Sequence, residues 1–292
     1  GRNYITGNIA MLSRPPTART AYVSPRTRDT EVDGLTTEKV SAFDVNYVVH
    51  APRVKARATF FHASINDQVW ARSFYHEDLR TLVNYTMNGV DQKHTGIELG
   101  IEVKATSTVV VNAVFTTGQY FYSSRPSARI TRDNNTEILA DDRTVYWENY
   151  RIGGMPQSAA SMGVRYNDPK FWSVGANVNW FGDRYLDPNP DRRTSEAVAT
   201  LVTEDPQWDQ LLDQEKLDDG LTIDAFIMKS WMIQRKYRIA ANLSVSNLLD
   251  TQDIISGGFE QLRFDAHQPD KFPPKYSYMY GRTYYAQLSF SF

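Results

Sequence analysis

Apolar and polar residues alternate with a period of two along much of the chain. Between Phe171 and Phe181, Trp172, Val174, Ala176, Val178 and Trp180 fall on one face, with Ser173, Gly175, Asn177 and Asn179 on the other. Successive side chains of an extended chain point to opposite sides, so this run predicts a strand with one apolar and one polar face. Tyr284, Ala286, Leu288, Phe290 and Phe292 repeat the pattern against Tyr285, Gln287, Ser289 and Ser291. The same alternation runs through 43–49, 54–60, 97–103, 221–227 and 239–245, with weaker versions near 2–12, 108–120 and 157–166. The chain therefore predicts about ten strands. A Trp at each end of the apolar face of 172–180 suits a strand that crosses a bilayer, one ring at each interface.

The connections sharpen that reading. Short turns are predicted near 51–52, 105–107, 168–170 and 234–236, and long polar loops at roughly 13–37, 66–94, 122–156, 182–220 and 250–277. Short and long alternate strictly. Outer-membrane barrels have this asymmetry, with short periplasmic turns and long extracellular loops. Loops of that length fit a compact soluble domain poorly. One loop predicts a helix, with Asp205 as cap, Pro206 at its first position, a stripe of Trp208, Leu211 and Leu212, and Gly220 as its end. It would pack on the barrel mouth or, alternatively, cover a ligand.

Composition narrows the class. The 292 residues are 41% hydrophobic, 13% aromatic and 23% charged, with 16 Gly, 13 Pro and no Cys, which excludes a collagen, a disulfide scaffold and a disordered chain. No apolar run reaches the roughly 18–20 residues of a membrane-spanning helix. A net charge of −2 leaves no basic footprint, so nucleic acid is not an expected partner. The absence of Cys is compatible with either redox environment. The sequence opens Gly1-Arg2-Asn3-Tyr4 without an initiator Met or a signal segment, as expected of a processed chain or of a piece of a longer protein.

Several segments carry a resemblance. They are Ala21-Tyr22-Val23-Ser24-Pro25-Arg26-Thr27-Arg28-Asp29, Phe74-Tyr75-His76-Glu77-Asp78-Leu79-Arg80-Thr81, Asp187-Pro188-Asn189-Pro190-Asp191-Arg192-Arg193 and Gly257-Gly258-Phe259-Glu260-Gln261-Leu262-Arg263-Phe264. Together they resemble TonB-dependent outer-membrane receptors of the group with an N-terminal carboxypeptidase-regulatory-like domain. Asn247-Leu248-Leu249-Asp250 and Gly281-Arg282-Thr283-Tyr284 resemble the last two strands of such receptors in general. The resemblance implies a barrel of about 22 strands around an N-terminal plug, in a Gram-negative outer membrane. A TonB complex would pull on the plug to admit a ligand. This chain shows no plug, no TonB box and too few strands to enclose a plug. Residues 1–292 are accordingly expected to be the C-terminal part of the barrel, with the plug and the remaining strands as partners in the same receptor.

No catalytic signature is present: there is no Cys nucleophile, HExxH, Walker loop or G-x-S-x-G elbow. His50, His62, His76, His94 and His267 are scattered, so no metal site and no cofactor is expected. Asp133-Asn134-Asn135-Thr136-Glu137 lacks the glycine and distal glutamate of a calcium loop. On the polar faces, Lys55, Arg57, Glu98, Glu102, Lys104, Arg165 and Asp224 would bond a plug or line a wet lumen. Trp172, Val174, Val178, Trp180, Leu288, Phe290 and Phe292 are expected to face lipid. The loop residues Arg26, Arg28, Trp70, Tyr75, His76, Arg80, Arg192 and Arg193 are the ligand-binding candidates, because Arg and aromatic side chains are enriched at binding surfaces. Loop packing is the plainer alternative for each of them.

Energised uptake of an unidentified ligand is the leading functional expectation. A scaffold subunit in an outer-membrane assembly, with a lipoprotein or other assembly partner, is a second. A ten-stranded omptin-like protease, with His76 and Asp78, or His267 with Asp265 and Asp270, activating water, is a third.

Overall fold

The alternating runs become strands. The computed structural model describes residues 2–25, 27–135 and 137–292. It is 59% strand and 6% helix, as the all-β expectation requires. Ten strands form one antiparallel path: β1 (Arg2–Arg14), β2 (Glu38–His50), β3 (Val54–His76), β4 (Thr81–Lys104), β5 (Val109–Tyr122), β6 (Ser158–Asn167), β7 (Trp172–Gly182), β8 (Gly220–Ile233), β9 (Tyr237–Ser246) and β10 (Thr283–Ser291). Each pairs with its neighbour along this path, and the tight turns at 51–53, 105–108, 168–171 and 234–236 all lie at one edge. The long connections lie at the opposite edge. Among the described residues, β1 pairs only with β2 and β10 only with β9, so both ends of the sheet are open.

The two faces are inverted relative to a water-soluble sheet. On β2, Val45 is 48% exposed and Tyr47 47%, whereas Asn46 between them is 2% exposed. Thr59, Ser173, Thr222 and Ser230 are likewise buried on the polar side. Polar groups survive there because they bond one another. Asn46 Oδ1 accepts from Arg57 Nε at 2.9 Å and from Thr59 Oγ1 at 2.8 Å. Farther round, Asn179 Nδ2 donates to Asp224 Oδ2 at 2.8 Å, and Ser161 Oγ donates to Asn179 Oδ1 at 2.7 Å.

The expected loop at 66–94 is instead the outer half of a long hairpin. β3 has 23 residues and β4 has 24, where a crossing strand needs about 9–11. The alternation continues through it but changes phase. Asp67 (φ 61°) is an extra residue on β3 and Gly89 (φ 68°) one on β4, and the pairing steps from Ile65–Gln92 to Gln68–Val90 to Trp70–Met87. Each bulge moves the following residues to the other face. Trp70 and Phe74 on β3, and Val83, Tyr85 and Met87 on β4, thereby continue the side occupied lower down by Arg57 and Glu98.

The expected loop at 122–156 also contains structure. Ser127–Arg132 pairs with Ile138–Thr144, and its first strand extends the sheet along β4 at Val83–Asn88. Together with the outer halves of β3 and β4 this makes a four-stranded projection with its own apolar core. Val83, Tyr85, Met87, Ile130, Val145 and Trp147 are buried in it, and Trp70 and Phe74 pack against them. The predicted helix, α1, spans Pro206–Leu212, and Asp205 accepts a bond from the Gln207 N–H at 2.9 Å. It ends eight residues before Gly220, which opens β8, and of its expected stripe only Leu211 is buried.

Candidate functional site at the loop end

The long connections interlock above the projection. Asn189 and Arg193 sit at a short turn that Pro190 begins, and both face the segment 257–264. Asn189 Nδ2 donates to the Gln261 carbonyl at 2.7 Å, and its N–H donates to Glu260 Oε2 at 2.8 Å. Arg193 grips Glu260 with both terminal nitrogens, the Nη2–Oε1 bond being 2.7 Å, and also donates to the Asp213 carbonyl at 3.0 Å. Both partners are almost wholly buried, at 0% and 4% side-chain exposure. A bidentate pair of this kind supplies direction as well as charge compensation. Asp191 joins the cluster to the projection: Arg143 Nη1 lies 2.7 Å from one carboxylate oxygen and His76 Nε2 3.1 Å from the other. Glu77 completes the junction by pairing with Arg263 at 2.5 Å.

Three of the segments that carry the family resemblance, 74–81, 187–193 and 257–264, thus meet in one place. The structure shows what their charged residues do there. His76 faces Asp191, Arg192 donates to the Pro269 carbonyl at 3.3 Å over the Phe264 ring, and Arg193 holds Glu260. Burial lowers the pKa of the Arg192 guanidinium from its ordinary value. Tyr75 lies under Arg263, and Arg28 donates to the carbonyls of Arg132 and Asn135. Arg80 stands exposed in the hairpin turn at φ 50°. Trp70 packs edge-on to Trp147, their ring centres 6.1 Å apart. Arg26 lies outside the described residues. His76 is buried and pairs with Asp191.

Sequence reasoning missed Asn189, Asp191, Arg143 and Glu260. Their signal lay in the motifs 187–193 and 257–264, but which motif meets which is a tertiary fact. The other expected set is placed as follows: Trp172, Val174, Val178, Leu288, Phe290 and Phe292 are exposed on the apolar face or at its end, and Trp180 is half-exposed. Lys229 Nζ stands 4.9 Å over the Trp172 ring, and the Trp180 indole N–H donates to Asp219 at 3.2 Å. Both Trp rings thus keep a polar partner at the two ends of β7.

Beneath the interlocked loops is a cavity of about 790 Å³. Its lining mixes polar groups, among them Arg57, Thr59, Glu98 and Asn179, with apolar ones such as Val114, Phe115, Trp180 and Phe181, and Arg184, Ser256 and Met279 join it from the loop end. Arg184 is fixed by donation to the carbonyls of Asp218 and Ile255. Among the described residues, no three His, Asp or Glu groups are clustered as metal ligands.

No protein-family model matches the sequence, and no curated protein matches it. Solved structures do. The copper transporter OprC superposes on 99% of this chain with a TM-score of 0.59 at 15% identity, and 37% of its own length is covered. The FrpB iron transporter from Neisseria meningitidis gives 0.56 at 12% identity, over 99% of this chain and 37% of its own. The ferric yersiniabactin uptake receptor FyuA from Yersinia pestis gives 0.53 at 14% identity, over 99% and 34%. The fold is that of the C-terminal part of a TonB-dependent outer-membrane receptor barrel. The chain spans about a third of the length of the receptors it matches. The open edges at β1 and β10 are what a part of such a barrel presents. The inverted faces and the one-sided loops are what an outer-membrane wall requires.

Proposed function

We propose that residues 1–292 form the C-terminal part of the barrel of a TonB-dependent receptor that imports a ligand across the outer membrane. The observation that carries this reading is the ten-stranded path with a bonded polar face, a bare apolar face and every long loop at one edge, matched over nearly the whole chain by receptor barrels. In the whole protein the apolar face meets lipid, the polar face meets a plug and a wet lumen, and further strands close the edges at β1 and β10. The plug is the part on which a TonB complex acts. The loop end is the side at which the ligand arrives, and the interlocked loops are its frame.

Deletion of the gene, followed by growth on single nutrients with the inner membrane energised and de-energised, tests the reading. A growth defect confined to the energised state on one nutrient is expected. Intact growth on every nutrient, with other outer-membrane proteins mislocalised, would replace transport by scaffolding.

A further inference from the structure

The cavity beneath the interlocked loops is lined by a cation whose charge its own bonds leave unanswered. β7 ends at Gly182, where a Cβ would come within 2.6 Å of the Trp180 ring and 2.7 Å of an Asp219 oxygen, so the strand closes on glycine. Asp183 then turns the chain at φ 52°, and Arg184 and Tyr185 pair with Leu217 and Lys216. Lys216 ties the turn through an ion pair with Asp183 at 2.6 Å. Arg184 is thereby carried to the loop end of the cavity, where it is only 5% exposed. Its guanidinium lies 4.8 Å from the centre of the Phe181 ring and donates to the carbonyls of Ile255 and Asp218.

Those bonds hold Arg184 without neutralising it. Both acceptors are backbone carbonyls, and its Nε–H, shielded from solvent, has no partner among the described residues. Burial lowers the guanidinium from its ordinary value, and the Asp219 and then the Asp218 charges oppose that. Neither carboxylate forms an ion pair with it among the described residues; Asp219 instead accepts from the Trp180 indole N–H at 3.2 Å. The β3–β4 wall differs. Arg57 and Glu98 both line the cavity from adjoining strands, opposite Gly100 and Thr59, so one charge there offsets the other. Arg57 is also held by Asn46 at 2.9 Å. The lining further includes Val114, Pro156, Phe181 and Met279. One cavity thus combines a buried, uncompensated guanidinium with apolar surface.

We propose that this cavity binds an amphipathic organic monoanion, with its carboxylate on Arg184 and its apolar body along Val114, Phe181 and Met279. A guanidinium taken out of water without a counter-charge costs desolvation, and a carboxylate accepting from the Nε–H offsets that cost through a charge-assisted bond. A volume of about 790 Å³ suits a small organic ligand, and apolar walls with a few oriented polar groups are the usual make-up of such a site. A neutral ligand of the same shape would leave the Arg184 charge uncompensated. A cation would be repelled by it. The proposal rests on the receptor reading and deepens it by naming a ligand class for the loop end.

The test is calorimetric titration of the full-length receptor, purified in detergent, with hydrocinnamate and with its uncharged counterpart hydrocinnamamide. Receptor-free micelles set the background. The acid should bind about tenfold more tightly than the amide, a gap that one charge-assisted bond supplies. Arg184→Gln should abolish that gap, and Arg184→Lys should restore part of it. Acetate, which has the anionic head without the apolar body, should bind far more weakly than hydrocinnamate. No saturable binding of the acid, equal binding of acid and amide, a gap that survives Arg184→Gln, or acetate binding as tightly as hydrocinnamate overturns the proposal. The comparison of acid and amide changes only the ligand, so it decides even where an Arg184 variant fails to fold. Binding in detergent needs no energised membrane. Energised uptake of a nutrient without hydrocinnamate binding therefore sinks the anion site alone, whereas hydrocinnamate binding without energised uptake of any nutrient sinks the transport reading alone.

Discussion

Asn46 shows at one residue how a polar side chain survives on a packed surface. Its carbonyl oxygen accepts from Arg57 and Thr59, and its amide donates to Asp44. Asn46→Leu keeps the volume but strands the Arg57 donors, and should lower barrel stability by about 1–3 kcal/mol in a urea titration. On the other face the sign of polarity reverses. Ala176 lies mid-strand on the apolar side of β7, and Ala176→Arg should cost about 2–4 kcal/mol if that side faces lipid at the bilayer midplane. A neutral result would reject lipid contact for this strand. Arg193 and Glu260 give the largest expected effect at this scale. Removing one partner leaves a buried charge uncompensated, so Glu260→Ala should cost about 3–5 kcal/mol, read as early protease cleavage at 183–219.

At the scale of elements, the projection above the membrane level is the part with a conventional apolar core. Trp147 is its largest buried side chain, at 1% exposure. Trp147→Ala should cost about 3–5 kcal/mol locally and expose 123–157 to protease while the ten-stranded wall stays intact. Simultaneous loss of both would show that the projection and the wall fold as one unit. The projection is also where a pattern of alternation is hardest to follow. Alternation over 54–65 and over 82–87 is equally regular, but the extra residues Asp67 and Gly89 put the two runs out of phase. Against one unbroken period, such a stretch looks like a loop. The helix boundary failed differently. Asp205 and Pro206 are local start signals and were legible, whereas Gly220 was needed as the first residue of β8, and only the pairing of β8 with β7 shows it.

At the scale of the whole molecule, assembly of the barrel depends on its ends. Phe290 and Phe292 are exposed on and just past the last strand, with Phe290 stacked on Tyr237 at 5.8 Å. Deletion of 290–292 should reduce outer-membrane levels far more than deletion of an equally long exposed loop segment, measured by fractionation and immunoblot. Normal levels would reject a role for that end in insertion.

The sequence by itself determined the number of crossing strands, their polar and apolar sides and the edge that carries the long loops. Those follow from a period of two and from turn spacing, which are local properties of an extended chain. Tertiary structure alone decided that 66–94 rises as a hairpin, that 187–193 locks onto 257–264, and that His76, Arg192 and Arg193 find partners on distant segments. A charged side chain advertises its chemistry in the sequence. Whether that chemistry is already satisfied depends on partners as far apart as Glu77 and Arg263, 186 positions along the chain, and only the folded chain brings those within bonding distance.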